Sequence, residues 1–312
     1  MILNWTYVAA GILLLYFGAD FLVRGAGRIA EGFNVRPVII GLTIVAFGTS
    51  VPEFTVSSLA SYAGNSSIAV GNIVGSNICN IGLIIGVIAL VKPVNVELTM
   101  VKREIPIMIV ATLILFAMSA DGKIGRIEGS ILIACMIAFI SYTILQVKKD
   151  RLTDSDQNGV MPKNGIPLAL LLVLIGLVGV IGGGHLFVKS AENIARFYGI
   201  SEIFIGLTLV AVGTSLPELA TSAVAAMKGK DDICVSNVVG SNIVNIFFGI
   251  GLAAVISPLT VESGLLINEY IFMTGFAVAL LPLARKGLLI NRWEGLLLLI
   301  AYAAFLYTSY FY

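Results

Sequence analysis

Charge is scarce in this chain. Aspartate, glutamate, lysine and arginine supply 12% of its 312 residues, against about 25% in a soluble globular domain. Histidine occurs once, at His185, and there are three cysteines, Cys79, Cys135 and Cys234. An odd cysteine count spread through apolar stretches gives no disulfide framework. It also leaves zinc or copper without the imidazole and thiolate donors those metals favour. A phosphate-binding loop, a metalloprotease motif and a basic nucleic-acid patch are all missing. Neither Ser50 nor Ser215 is accompanied by a histidine or lysine to serve as base, which argues against an intramembrane hydrolase. No enzyme activity and no cofactor are expected.

What abounds is apolar surface: 58% of residues are hydrophobic and the mean hydropathy is +1.00. Segments of roughly 20 apolar residues, enough for a helix to cross a bilayer, recur along the chain. Ten are expected, at 4–23, 37–62, 67–91, 105–120, 127–147, 166–188, 202–227, 233–256, 266–284 and 293–311. The N-terminus lacks the basic stretch and cleavage site of a signal peptide, so the first segment is expected to stay as a helix. Alternation across ten spans puts four lysines and arginines on one side of the membrane and fifteen on the other. Cytoplasmic loops carry the excess. Both termini are therefore expected outside the cell, with the hydrophilic linker 148–165 in the cytoplasm.

The chain also repeats itself. GLTIVAFGTSVPE at Gly41 to Glu53 returns as GLTLVAVGTSLPE at Gly206 to Glu218, 165 positions later, and GNIVGSNICNIG at Gly71 returns in the same register as SNVVGSNIVNIF at Ser236. A shared register over this length marks a duplicated unit, with repeats at 1–147 and 166–312 forming one structural domain. Five spans per unit make the second copy enter the membrane from the opposite side. The expected fold is therefore all-α and integral to the membrane: ten helices in two inverted repeats, a design recurrent in secondary transporters.

Glu53 and Glu218 fall near the middles of the second and seventh spans, where an ionised carboxylate is costly unless it meets a cation, water or a partner. Pro52 and Pro217 beside them lack an N–H, so the motif helices are expected to break there and free backbone carbonyls. Gly48 and Gly213 loosen the same turns, while Thr49, Ser50, Thr214 and Ser215 add hydroxyls. The third and eighth spans contribute Ser76, Asn77 and Asn80, mirrored by Ser241, Asn242 and Asn245. Gly71 and Gly75 let these helices approach the motif helices. Hard oxygen donors with two carboxylates suit calcium, and sodium as well.

GTSVPE with GNIVGSNICN, and GTSLPE with SNVVGSNIVN, resemble the alpha-1 and alpha-2 repeats of the calcium/cation antiporter superfamily, most closely a prokaryotic, archaeal-type sodium/calcium exchanger. The resemblance covers nearly the whole chain. It implies sodium moving inward and calcium outward by alternating access, three sodium ions for one calcium; the length and glycine content of the first and sixth helices, at Gly182 to Gly184 for instance, lead us to expect that these two slide over the motif helices. It further implies that Glu53 and Glu218 bridge the calcium, helped by the carbonyls of Thr49 and Thr214. One flanking sodium position would use the Ala46 carbonyl, Thr49, Glu53, Ser76 and Ser215. Its mate would use Ala211, Thr214, Glu218, Ser241 and Ser50, with Asn80 and Asn245 facing the middle. Asn245 is aspartate in archaeal relatives and acidic in potassium-dependent exchangers, so the resemblance implies potassium independence. Only two formal charges then remain, and three sodium ions would leave the site at +1, which makes exchange electrogenic. Partners are the two ions and the lipid bilayer, with no nucleic acid and no obligate protein partner; the chain is expected to act as a monomer.

Other readings stay open at this stage: proton-coupled or other divalent exchange on the same scaffold, and a cation channel. Asp154, Asp156, Asn158 and Gly159 resemble the start of an EF-hand loop, but its twelfth position is Gly165 where a bidentate glutamate belongs. A solvated linker is the expectation. His185 and its mate Asp20 are expected near helix ends. Cys79 and Cys234 are read as packing residues. Trp5, Tyr7, Tyr302, Tyr307, Tyr310 and Tyr312 are read as an interfacial belt.

Overall fold

A computed structural model describes residues 2–153, 165–199, 211–261 and 265–311. The chain opens with α1 (Ile2–Gly32), followed by α2 (Pro37–Thr49) and α3 (Val51–Tyr62), which meet at a 45° bend. α4 (Ser66–Val91) follows, then α5 (Ile105–Met118) and α6 (Arg126–Thr153). The second half begins with α7 (Ile166–Phe197), a single turn α8 (Ala211–Gly213) and α9 (Leu216–Met227). It ends with α10 (Asp231–Ile256), α11 (Leu265–Arg285) and α12 (Arg292–Phe311). Each expected span coincides with a helix, the seventh being described only from Ala211. The protein is an all-α integral membrane protein built from two inverted repeats.

α1 and α7 are longer than expected, 31 and 32 residues. At 1.5 Å per residue each reaches about 46 Å, beyond a hydrocarbon core of about 30 Å. The two are repeat mates, and they lie against each other antiparallel: Gly11 faces Gly183 and Phe187, whereas Gly25 faces Ala169 and Val173. Glycine makes the approach possible, since a Cβ on Gly18 would stand 2.6 Å from the Val180 nitrogen. Such small-residue contacts replace the hydrophobic driving force that is lost in lipid.

Mates that run antiparallel require a pseudo-two-fold axis in the membrane plane, and the short strands obey it. β1 (Val94–Asn95) pairs with β4 (Leu289–Ile290), and β2 (Lys123–Ile124) pairs with β3 (Leu259–Thr260), both antiparallel. Each pair ties a loop of one repeat to a loop of the other. Loops assigned to the basic side do meet: Arg36 bonds Glu97, and Lys92 bonds Asp231 and the Ala226 carbonyl.

The length of α1 and α7 corrects one expectation. Asp20 and His185 lie well inside their helices. Asp20 is buried and ion-paired with Arg24 at 2.8 Å and with Lys228; His185 is exposed. Tyr302 also departs from the belt, because it is buried against Phe305. Trp5, Tyr7 and Tyr307 are exposed as a belt requires. The side chains of Tyr310 and Tyr312 lie outside the described residues, as do the linker positions Asp154, Asp156, Asn158 and Gly159. Cys79 and Cys234 are free and buried.

Candidate ion-binding site

The break in the first motif falls at Ser50, two residues ahead of Pro52, and its mate falls at Ser215. Both residues leave the helical range in the same way, with φ −82 and ψ 5 at Ser50 and φ −85 and ψ 5 at Ser215. This corrects the placement at the prolines. Proline is tolerated in the first turn of a helix, where no N–H is needed, and it ends the helix before it. Pro52 and Pro217 therefore sit just inside α3 and α9. Glu53 and Glu218 follow in the first turns, where the helix dipole favours a carboxylate.

Both glutamates are fully buried, at 0% exposure. Each is held by the opposite repeat: Ser50 Oγ donates to Glu218 Oε1 at 3.0 Å, and Ser215 Oγ donates to Glu53 Oε1 at 3.4 Å. Ser241 Oγ lies 3.4 Å from both Glu218 Oε1 and the Ala46 carbonyl, which Thr49 Oγ1 also reaches at 3.4 Å. Ser76 and Thr214 hydroxyls stand 3.4 Å apart. Ser241 thus touches members of both expected sodium sets. The side chain of Ala211 lies outside the described residues.

α4 and α10 carry a second device that motif spacing did not suggest. Each contains a π-helical turn that begins at the site asparagine, Asn80–Ile85 in one repeat and Asn245–Ile250 in the other. A widened turn of this kind re-aims side chains and is frequent at functional sites. Asn80 and Asn245 are both fully buried. Gly240 brings α10 onto α2, a Cβ there standing 2.8 Å from Ala46 Cβ. Gly48 and Gly213 do more than loosen a turn: Leu177 and Val188 of α7 pack against them.

Two further asparagines, which the motif spacing does not single out, sit behind the broken helices. Asn72 donates to Ser57 Oγ at 2.9 Å and to the Glu53 carbonyl at 3.2 Å, and its mate Asn237 donates to Ser222 Oγ at 3.0 Å.

The consequence of this arrangement is a set of oxygens with nothing to bind. Among the described residues, Glu53 Oε2, Glu218 Oε2, Asn80 Oδ1 and Asn245 Oδ1 are buried and have no hydrogen-bond partner. An unsatisfied buried carboxylate oxygen is expensive. Four such oxygens, related in pairs by the repeat, are candidate ligands for a hard cation.

The two ends of the site differ. Thr49 is fully buried, whereas its mate Thr214 is partly exposed. Thr214 lies on a cavity of about 330 Å³, lined among others by Pro52, Thr55, His185, Val188 and Pro217. On the other side, Asp20 of α1 is paired with Lys228 just beyond α9.

The profile of the sodium/calcium exchanger protein family matches residues 3–145 and 168–311. The chain belongs to that family. It is 38% identical over 317 residues to a putative antiporter, CaxA, of Alkalimonas amylolytica, covering 99% of each chain. It is 32% identical to the sodium/calcium exchanger MaX1 of Methanosarcina acetivorans, again over 99% of each. A solved structure of the sodium-calcium exchanger NCX_Mj, soaked without sodium and calcium, superposes with a TM-score of 0.85 at 36% identity, covering 97% of both chains. As a member of this family the chain is a multi-pass membrane transporter and not an enzyme.

Proposed function

We propose that this chain exchanges sodium, moving inward, for calcium, moving outward, across the cell membrane by alternating access. The observation that carries the reading is the set of four buried, unpartnered oxygens on Glu53, Glu218, Asn80 and Asn245. Two carboxylates balance one divalent ion, so calcium can be held there without a net buried charge. Oxygen donors in irregular geometry suit calcium. The hydroxyls of Thr49, Ser50, Ser76, Thr214, Ser215 and Ser241, with the carbonyls of Ala46 and Ala211, supply the flanking sodium positions.

Neutral asparagine at both central positions leaves Glu53 and Glu218 as the only charges of the cage. Three sodium ions would then carry one net positive charge where one calcium carries none, so exchange is electrogenic and has no place for potassium. Both termini lie outside, and 148–165 forms a cytoplasmic linker between repeats 1–147 and 166–312.

The cavity beside Thr214 borders the outer half of α7 in this orientation, so the site is reached from outside, while the Asp20 to Lys228 pair closes the inner face. Sliding of α1 with α7 across the motif helices would reverse the two. The glycine contacts at Gly48 and Gly213 support this, because they bring α7 against both motifs. Calcium uptake into proteoliposomes, with sodium, potassium and proton gradients set independently, tests the reading. Drive by sodium that survives a proton ionophore supports it, and drive by protons alone would favour a proton-coupled exchanger. Linear current without a counter-ion would favour a channel.

A further inference from the structure

Asn77 and Asn242 are repeat mates, and each donates its side-chain Nδ2 to the other's backbone carbonyl, at 3.3 and 3.2 Å. A backbone carbonyl only accepts, so this pair fixes which end of each carboxamide carries the nitrogen. The two Oδ1 atoms are then left as acceptors. Asn242 Oδ1 takes Asn80 Nδ2 at 2.9 Å, and Asn77 Oδ1 takes Asn245 Nδ2 at 3.1 Å. With their nitrogens engaged, Asn80 and Asn245 have one group left each, and those are the buried oxygens without a partner. The orientation runs from main chain to cage in two steps.

We propose that Asn77 and Asn242 are positioning residues that set the amide orientation of Asn245 and Asn80, so that their oxygens and not their NH₂ groups face the transported cation. The proposal rests on the exchange reading above. Its physical basis is the sign of the amide dipole. In a cage with only two formal charges, a flipped carboxamide removes a ligand and turns the positive end of its dipole toward the ion. The pairing is crossed: Asn77 of the first repeat orients Asn245 of the second, and Asn242 orients Asn80. Each half of the molecule therefore aims a ligand belonging to the other.

Aspartate has two equivalent oxygens and no nitrogen, so at position 245 it has no orientation to set. That makes the role separable from packing. The calcium KM of sodium-driven uptake is measured for Asn77→Leu, for Asn245→Asp and for the double variant. Asn77→Leu is expected to raise KM about tenfold with Asn245 present and by less than about twofold with Asn245→Asp. In an Asn80→Asp background the tenfold rise is retained, because Asn80 is not the residue that Asn77 holds. An equal rise in all backgrounds, or none in the first, overturns the proposal. If Asn77→Leu is not recovered from the membrane, Asn77→Ala is measured in the same backgrounds and decides in the same way: a rise of about tenfold with Asn245 and of less than about twofold with Asn245→Asp supports the role, and an equal rise in all backgrounds counts against it. Failure of the unaltered protein to take up calcium would instead overturn the exchange reading.

Discussion

Ser50 in the first repeat donates to Glu218 in the second at 3.0 Å, and Ser215 returns the same bond to Glu53 at 3.4 Å. The serine at each helix break thus steadies the carboxylate of the opposite break. Each bond occupies Oε1 and leaves Oε2 unpartnered. The proposed cage needs both repeats, since each carboxylate is held by the serine of the other.

The α1 and α7 contact has no room for side chains at its glycines. Gly18→Ala would place a Cβ 2.6 Å from the Val180 nitrogen, and overpacking of this kind costs about 1–3 kcal/mol. A lower melting temperature in detergent is the expected result for Gly18→Ala. Gly229→Ala is the wrong control, since that residue has a φ of +70; Gly182→Ala is the right one, because no described atom lies within 4 Å of its Cβ position. Equal melting of Gly18→Ala and Gly182→Ala would contradict the packing.

Bulk in the cavity is expected to block transport without touching a cage ligand. Val188 lines the cavity beside Thr214, and Val188→Trp should lower calcium uptake at least about tenfold, equivalent to about 1.4 kcal/mol in the barrier. Uptake at the unaltered rate would remove the cavity from the ion path.

Lys228 links the end of α9 to Asp20 of α1 and keeps 30% of its side chain exposed. A partly solvated pair of this type contributes about 0.5–1 kcal/mol, enough to shift a two-state equilibrium a few-fold. In Lys228→Gln, labelling of Val188→Cys by an impermeant maleimide is expected to slow by that factor, because less protein is open on the cavity side. Faster or unchanged labelling would mean that the pair does not hold the closed face.

Potassium should have no effect. Asn245 supplies no charge, so replacing external potassium with choline is expected to leave sodium-driven calcium uptake unaltered, measured on the same vesicles. A requirement for potassium would contradict the charge count of the cage.

Much of this was legible in the residues. Paired GTSxPE motifs announced the duplication, and Glu53 and Glu218 stood out as the buried carboxylates of the proposed cage, because a carboxylate at membrane depth needs a cation, water or a partner. The details that were not legible depend on three-dimensional registration. Proline chemistry says that a helix ends nearby, but Ser50 and Ser215 mark where. The π-turns at Asn80 and Asn245 leave no trace in periodicity, since one extra residue in a turn looks like ordinary apolar sequence. The overrun of α1 and α7 past the bilayer was hidden because Asp20, Arg24 and Arg28 read as the end of a span. Asp20 is paired and buried instead, so the helix continues through it.

The most direct test of the cage is sodium-driven isotope calcium uptake by proteoliposomes containing the unaltered protein, Glu53→Gln or Glu218→Gln. Each substitution removes one ligand oxygen and half of the compensating charge at a fully buried position. Uptake by the unaltered protein with background levels in both variants is the predicted result. Near-normal uptake in both would contradict the account.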